Sequence, residues 1–296
     1  MLAIVIPYYK ITFFEATLAS LAHQTDKRFK VYIGNDASPE SPSNLLEKYK
    51  GQFYSVYHYF DTNLGGISLV KQWNRCLEMI DSEEWVMFLG DDDLLEENVV
   101  SEFYSNLNEI DSIANVVRYS TCKINALGLL ISSQYTHPKI EHSIDFFFRN
   151  VRSSLSEYIF RKTKMREIGF KDFPLAWQSD VLAVLEFSDF KNVYSINDAK
   201  VYIRITDLSI SGKQDNLKLK YKAVFDFYYY LITYRLNHFN SIQKDKLYAQ
   251  VNKSYLNDKK NITYFLKLSN FYLSKFLFGD YINFLKSIII NVLKIK

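Results

Sequence analysis

Short apolar runs recur through the first ninety or so residues, each followed by a helical pattern and each ending in polar residues. Leu2–Ile6 is apolar throughout, the signature of a strand buried on both faces. Residues 12–24 read as a helix with Phe14, Leu18 and Leu21 on one face. Phe29–Gly34 is a second strand, 42–50 a second helix and Ser55–Phe60 a third strand. A helix then begins near Gly66 and carries Leu69, Trp73, Cys76, Leu77 and Ile80, and Glu84–Leu89 forms a fourth strand. Strands alternating with helices predict an α/β chain with a mostly parallel sheet flanked by helices. Ligands of such sheets sit beyond the carboxyl ends of the strands. Here those ends carry Tyr8-Tyr9, Asn35-Asp36 and Asp91-Asp92-Asp93.

The middle of the chain is mixed. Strands are predicted at 114–121, 156–160 and 193–205, and helices near 143–150, 162–168 and 179–188. Residues 122–142 read as a long irregular segment, a length typical of lids and binding loops. From Asp215 onward only helical patterns remain. The chain therefore divides into a domain at 1–212, with halves at 1–100 and 101–212, and a helical C-terminal extension at 213–296.

Charge is uneven. The 296 residues sum to +3, but residues 251–296 hold eight Lys and two Asp, a net of +6, which leaves −3 on the first 250. A whole-chain charge this small, without a recognition motif, excludes a nucleic-acid footprint. Cys76 and Cys122 are the only cysteines, too few for a disulfide framework or a cysteine zinc site. Met1–Pro7 lacks a basic leader, and no apolar run reaches the roughly 18 residues of a membrane span. A soluble, reducing, cytoplasmic setting is the expectation.

Asp91-Asp92-Asp93, after an apolar strand, is the sharpest chemical feature. Adjacent carboxylates repel unless a cation or hydrogen bonds compensate, and Mg²⁺ or Mn²⁺ binds through one or two carboxylates plus substrate phosphates. Asp93 also suits the N-cap of a helix starting near Leu94. Asn35-Asp36-Ala37-Ser38 places an acceptor at another strand end, or simply a turn. Asn63-Leu64-Gly65-Gly66 opens a helix whose free N–H groups would meet phosphate, or forms a plain glycine turn. Trp177-Gln178-Ser179-Asp180 precedes an apolar helix. Asp180 is either its cap or a general base, with Trp177 a platform for a sugar ring. No G-x-G-x-x-G, Walker A or H-E-x-x-H motif occurs, and the five histidines are scattered.

Taken in order, Ile4-Val5-Ile6-Pro7-Tyr8-Tyr9, Asn35-Asp36-Ala37-Ser38, Asn63-Leu64-Gly65 and Phe88-Leu89-Gly90-Asp91-Asp92-Asp93 resemble glycosyltransferase family 2. The resemblance is strong over residues 1–100 and extends to about 210. It implies a GT-A fold and transfer of a sugar, with inversion, from a nucleotide-diphosphate donor, with a UDP-sugar favoured. On this resemblance residues 1–100 bind the donor and 101–212 serve the acceptor, a saccharide or lipid-linked saccharide in surface polysaccharide assembly. Pro7 and Tyr8 line the nucleotide, Asp36 holds the base, and Asn63 and Gly65 contribute to donor binding. Asp91 lies near the ribose, and Asp92 and Asp93 hold Mn²⁺ or Mg²⁺ on the diphosphate, Asp93 principally. Asp180 is the catalytic base beside the acceptor, with Trp177. Three positions depart from the family pattern: Asn35 and Gly90 stand where Asp is common, and Ser179 where Glu often precedes the base. Trp73 stands where Arg is frequent, leaving Lys71 or Arg75 to supply positive charge, and Arg204 is a further candidate for the diphosphate. A nucleotide-sugar-binding protein without transfer activity, and a sugar nucleotidyltransferase, are the rival readings. Against the second, Pro7-Tyr8-Tyr9-Lys10-Ile11 stands where a basic Gly-rich loop would be needed.

At 100° per residue, Asn283, Lys286, Ser287, Asn291 and Lys294 share one arc of the last helix, and Ile282, Leu285, Ile288, Ile289, Val292 and Leu293 cover most of the rest. Such a helix suits the surface of an anionic membrane, and the family resemblance implies the cytoplasmic face. Packing on its own domain, or in a homodimer, suits it equally.

Overall fold

The computed structural model describes residues 1–149, 153–207 and 216–293. Contacts divide the chain into two units, Met1–Asp172 with Ser179–Lys213, and Phe173–Gln178 with Gln214–Lys296. The predicted boundary at 212 lies outside the described residues.

The first unit is built on a nine-stranded sheet. Its first strands are β1 (Leu2–Tyr8), β2 (Phe29–Asp36), β3 (Tyr54–Phe60) and β4 (Trp85–Phe88). They lie in the order β3-β2-β1-β4 and are parallel throughout, β1 being central and β3 the edge. The apolar runs of β1 and β4 are buried on both faces because helices cover the sheet: α1 (Phe14–Ala22) turns Phe14, Leu18 and Leu21 inward, and α3 (Leu69–Leu77) buries Val70, Trp73 and Cys76. A short α2 (Ser43–Lys48) links β2 to β3.

Beyond β4 the sheet becomes mixed. β5 (Leu94–Leu95), β6 (Val116–Ile124), β7 (Ile140–His142), β8 (Tyr158–Arg161) and β9 (Asn192–Arg204) continue it as β4-β8-β6-β9-β5, with β7 also on β9. Only the β6–β9 pair is parallel in this part. Helices α4 (Val99–Ile113), α5 (Ser143–Arg149), α6 (Lys162–Ile168) and α7 (Ser179–Phe187) complete the unit.

Three local expectations are corrected. No helix starts at Leu94: Leu94 and Leu95 pair with Tyr202 and Val201, and α4 begins at Val99 after Asn98, so Asp93 caps nothing. The long β9 offers an edge that the buried Leu95 fills, and strand pairing overrides the local helical signal. The helix predicted near Gly66 starts at Leu69, where the Ser68 hydroxyl accepts from the Lys71 N–H at 3.1 Å. The irregular segment 122–142 is partly ordered, since β6 runs to Ile124 and bridges Thr121–Tyr135 and Ile124–Leu130 fold the chain back across Gly128.

A cluster of aromatic rings backs the sheet where β4 ends. Trp73, Phe88, Phe160, Phe170 and Phe187 meet with centroids 5.2–6.1 Å apart, mostly edge to face. Such pairs contribute about 0.5–1.5 kcal/mol each beyond the area they bury.

The second unit is helical: α8 (Leu217–Tyr230), α9 (Ser241–Leu256), α10 (Ile262–Ser274) and α11 (Phe278–Leu293). Asn240 and Gln243 form a capping box at the start of α9. Phe284 of α11 is fully buried among Tyr255, Phe265 and Tyr272. The polar arc read from the sequence is divided by this packing. Ser287 donates to the Phe284 carbonyl and Asn291 accepts from Lys259, whereas Asn283 and Lys286 face outward with Ile282 and Ile289. Lys294 lies outside the described residues.

Gly34 permits the close approach of α3 to β2. A Cβ there would lie 2.3 Å from the Cys76 Sγ, far inside contact distance. Burial pushes the Cys76 thiol up to about 12, so it behaves as a small packing group rather than a nucleophile. Gly34→Ala should destabilise the protein by about 1–3 kcal/mol. Cys76→Ala in the same chain should recover much of that loss, so the two changes are non-additive in urea unfolding. Simple additivity would show that this contact does not set the helix–sheet spacing.

Candidate functional site

The carboxyl ends of β1, β2 and β4 open into a cavity of about 520 Å³ within the first unit. Its walls include Pro7, Asp36, Asn63, Gly65, Asp91, Asp92, Asp93 and Arg204, so eight of the residues expected from sequence share one space. Three expected residues do not line it. Tyr8 is fully buried against Phe14, and its hydroxyl donates to the Glu40 carbonyl at 2.7 Å. Side chains alternate along a strand, so Pro7 and Tyr8 point to opposite faces, and Tyr9 lines the cavity instead. Asp180 opens α7, its carboxylate accepting from Ser153 Oγ at 2.8 Å; the next residues, Ser154–Ser156, do line the cavity. Trp177 belongs to the second unit, where Lys220 Nζ lies 4.9 Å from its ring.

The three consecutive aspartates have different environments. Asp91 Oδ2 accepts from the backbone N–H groups of Tyr9 and Lys10, both at 2.8 Å, and so holds the loop after β1. Burial and the charge of Asp92 nevertheless push its pKa up to about 6. Asp93 is buried; Oδ1 accepts from the Arg204 N–H at 2.9 Å and Oδ2 from Ser156 Oγ at 2.6 Å. Among the described residues, no other residue donates a hydrogen bond to the Asp92 carboxylate. Burial, then the neighbouring Asp93, push the Asp92 pKa up to about 7, with Lys10 and Arg204 acting in the opposite sense. A Cβ on Gly90 would sit 3.0 Å from Asp92 Oδ1 and 3.1 Å from Asp93 Oδ2. Both carboxylates therefore crowd the same side of a residue that has no side chain.

Arg204 is held rather than free. Its Nε donates to the Asp92 carbonyl at 2.9 Å and Nη1 to the carbonyls of Asn125 and Ala126, while the guanidinium lies 4.4 Å from the Phe13 ring. Asp36 is occupied as well. Oδ1 accepts from the Leu64 N–H and from Arg75 Nη2, and Oδ2 from the Gly65 N–H. A Cβ on Gly65 would come within 2.5 Å of that Oδ2. With Asn63 Oδ1 accepting from the Gly66 N–H, the amides expected to meet phosphate are already satisfied within the protein.

Of the two cations expected to stand in for the family arginine, Arg75 is thus drawn to Asp36, and Trp73 fills the wall against Phe88. Sequence reasoning missed Tyr9, Lys10 and Ser154–Ser156. For the first two the signal was present, because strand parity after Pro7 places Tyr9 outward and the loop after β1 follows at once. Ser154–Ser156 joins the site through tertiary contacts, among them the bonds of Ser156 to Gly90 and Asp93.

The arrangement is a polar-floored cavity with two crowded carboxylates, one of them uncommitted, and cationic groups at its rim. It suits an anionic, phosphate-bearing ligand together with a hard cation.

Comparisons with known proteins bear on the fold and the family. S. aureus TarS resembles the fold at 16% identity and a TM-score of 0.61, covering 86% of this chain, which spans 43% of the TarS chain. A TarS fragment, residues 1–349, in complex with UDP-GlcNAc matches with a TM-score of 0.64 at the same identity, covering 86% of this chain and 72% of the fragment. No curated protein matches the sequence. The family model described as glycosyl transferase family 2 matches residues 3–170. That match takes in more than half of the sequence, and the chain belongs to glycosyl transferase family 2.

Proposed function

We propose that the protein is an inverting, metal-dependent glycosyltransferase that takes a nucleotide-diphosphate sugar, a UDP-sugar in the first instance, into the cavity beyond β1, β2 and β4. The acceptor is a saccharide or lipid-linked saccharide in surface polysaccharide assembly. The observation that carries the reading is the uncommitted Asp92 carboxylate, crowded against Asp93 and held near neutrality by burial. Family membership and the UDP-GlcNAc complex of the structurally similar TarS fragment support a nucleotide-sugar donor.

The carboxylates fit a hard divalent cation. Among the described residues no other residue donates to the Asp92 carboxylate, which leaves it open to a cation, and the Asp93 carboxylate stands on the same side of Gly90. Among the described residues no third metal-ligating side chain joins them, so the remaining ligands would come from diphosphate oxygens and water. Asp92 is then the principal ligand, in place of Asp93, whose oxygens already hold β9 and Ser156. A bound Mn²⁺ or Mg²⁺ would neutralise charge on the departing diphosphate.

The chain's own groups position the rest. Asp91 fixes the Tyr9-Lys10 turn at the rim, and Asp36 fixes the loop at 63–66 against the donor. Transfer with inversion then requires a base on the acceptor side to take the proton of the attacking hydroxyl while the bond to the diphosphate breaks. Asp180 is the candidate, reached through Ser153 from the wall formed by Ser154–Ser156. One observation favours binding without transfer: Asp180 lies outside the cavity lining, and its carboxylate accepts from Ser153.

Two substitutions separate these roles. Asp92→Asn should abolish the gain in UDP affinity that Mn²⁺ confers, measured by titration calorimetry. In metal-free buffer the same variant should melt a few degrees higher, since a desolvated, repelled charge has been removed. An unchanged Mn²⁺ effect would remove Asp92 from the metal site. Asp180→Asn should bind donor normally and lose transfer by at least about a hundredfold. Normal turnover would discard Asp180 as the base, and no turnover by the parent protein on any nucleotide sugar would favour binding alone.

A further inference from the structure

The second unit carries an apolar surface that its own packing does not use. α11 turns Phe284 inward and leaves Ile282, Ile289 and Leu293 on its outer side. The end of α10, the turn after it and the start of α11 add Leu273, Phe276 and Phe278, the last two 78% and 56% exposed with ring centroids 6.2 Å apart. Solitary exposed apolar side chains are ordinary, but a run of this kind marks an interaction surface.

Phe276 is the informative residue. The Phe276 N–H donates to the Leu273 carbonyl at 3.1 Å and the Leu277 N–H to the Tyr272 carbonyl at 2.9 Å, which is the Schellman ending of a helix. The residue after the C-cap in that motif adopts the left-handed conformation and is usually glycine. Here it is phenylalanine at φ +56°. An L-residue is strained there, and this ring, set against the exposed Phe278, recovers little of that by burial. Folding alone would favour glycine here, and unlike Phe190, which has the same φ but is buried, Phe276 holds its ring in solvent.

Charge identifies the occupant. Residues 251–296 hold eight Lys and two Asp, and Lys275 and Lys286 are exposed beside the apolar residues. Asp280, in the first turn of α11, is half-buried. α11 has 16 residues, about 24 Å of helix, and no helix among the described residues is long and apolar enough to cross a membrane. Aromatic and aliphatic side chains among lysines, on a helix that does not span, match an element lying in the plane of a bilayer. Anionic headgroups attract juxtaposed lysines by about 1 kcal/mol each.

We propose that the second unit docks on an anionic lipid surface through the α10–α11 turn and the outer side of α11, with Phe276 and Phe278 entering the acyl boundary. The surface is thus centred on residues 273–293, starting before the stretch at 281–296 that the sequence pattern marks. This proposal does not depend on donor chemistry, because vesicle binding is read without turnover.

Flotation of the full-length protein with vesicles of phosphatidylcholine alone, or mixed with phosphatidylglycerol, tests it. The parent protein should float with the phosphatidylglycerol vesicles and much less with phosphatidylcholine alone. Phe276→Gly with Phe278→Ser should lower that binding at least about tenfold. Phe276→Gly alone should leave the melting temperature unchanged or raise it, so that loss of binding is not loss of fold. Absence of vesicle binding by the parent protein, or undiminished binding by the double variant, overturns the proposal. So does light scattering that shows a dimer dissociated by the same substitutions, which would make this face an interface between two copies.

Discussion

The carboxylate of Asp93 joins parts of the first unit that lie far apart in sequence. One oxygen accepts from the backbone of Arg204 at the end of β9, and the other from Ser156 ahead of β8. The Asp93 carbonyl accepts from the Thr17 hydroxyl on α1. The parallel half of the sheet, the mixed half and a covering helix thus meet at a residue that lines the cavity. Hydrogen bonds to a buried carboxylate are roughly twice as strong as neutral ones, and losing one partner leaves an unpaired buried charge. The site and the fold are tied by the same group.

This arrangement has an electrostatic consequence. With Asp93 bonded to Arg204 and Ser156 and Asp91 holding the Tyr9-Lys10 turn, Asp92 bears the repulsion of the row with no hydrogen bond from another residue among the described ones. Such a group raises the free energy of the unliganded state, and a cation or a proton relieves it. Fixed dipoles and charges arranged before a ligand arrives need little reorganisation when it does. The held guanidinium of Arg204 and the ordered 63–66 loop belong to that description, since both are set by internal bonds.

Much of the architecture was readable from local pattern. The unbroken apolar runs at Leu2–Ile6 and Glu84–Leu89 reported burial on both faces, and the polar residues after them reported the end at which ligands bind. Failures came where a distant partner overrode the local signal. Leu94 followed a capping aspartate and looked helical, yet pairing with Tyr202 makes it a strand. Asp36 lines the cavity as expected, but its bonds to Arg75 and to two loop amides could not be read from its neighbours in sequence. Tyr8 was assigned one residue too early, an error of strand parity that alternation along β1 could have prevented.

Sequence by itself determined the class of the fold and the group of acids at the strand ends, because hydrophobic period and strand-end polarity are properties of neighbouring residues. It also determined that the C-terminal segment is basic and apolar together. Tertiary structure alone decided the division of labour among Asp91, Asp92 and Asp93, since the donors that occupy the first and third come from 63 to 111 positions away. It likewise decided which side of the last helix faces outward: Phe284 finds an aromatic pocket formed by α9 and α10, and that contact turns Ile282, Ile289 and Leu293 to the surface.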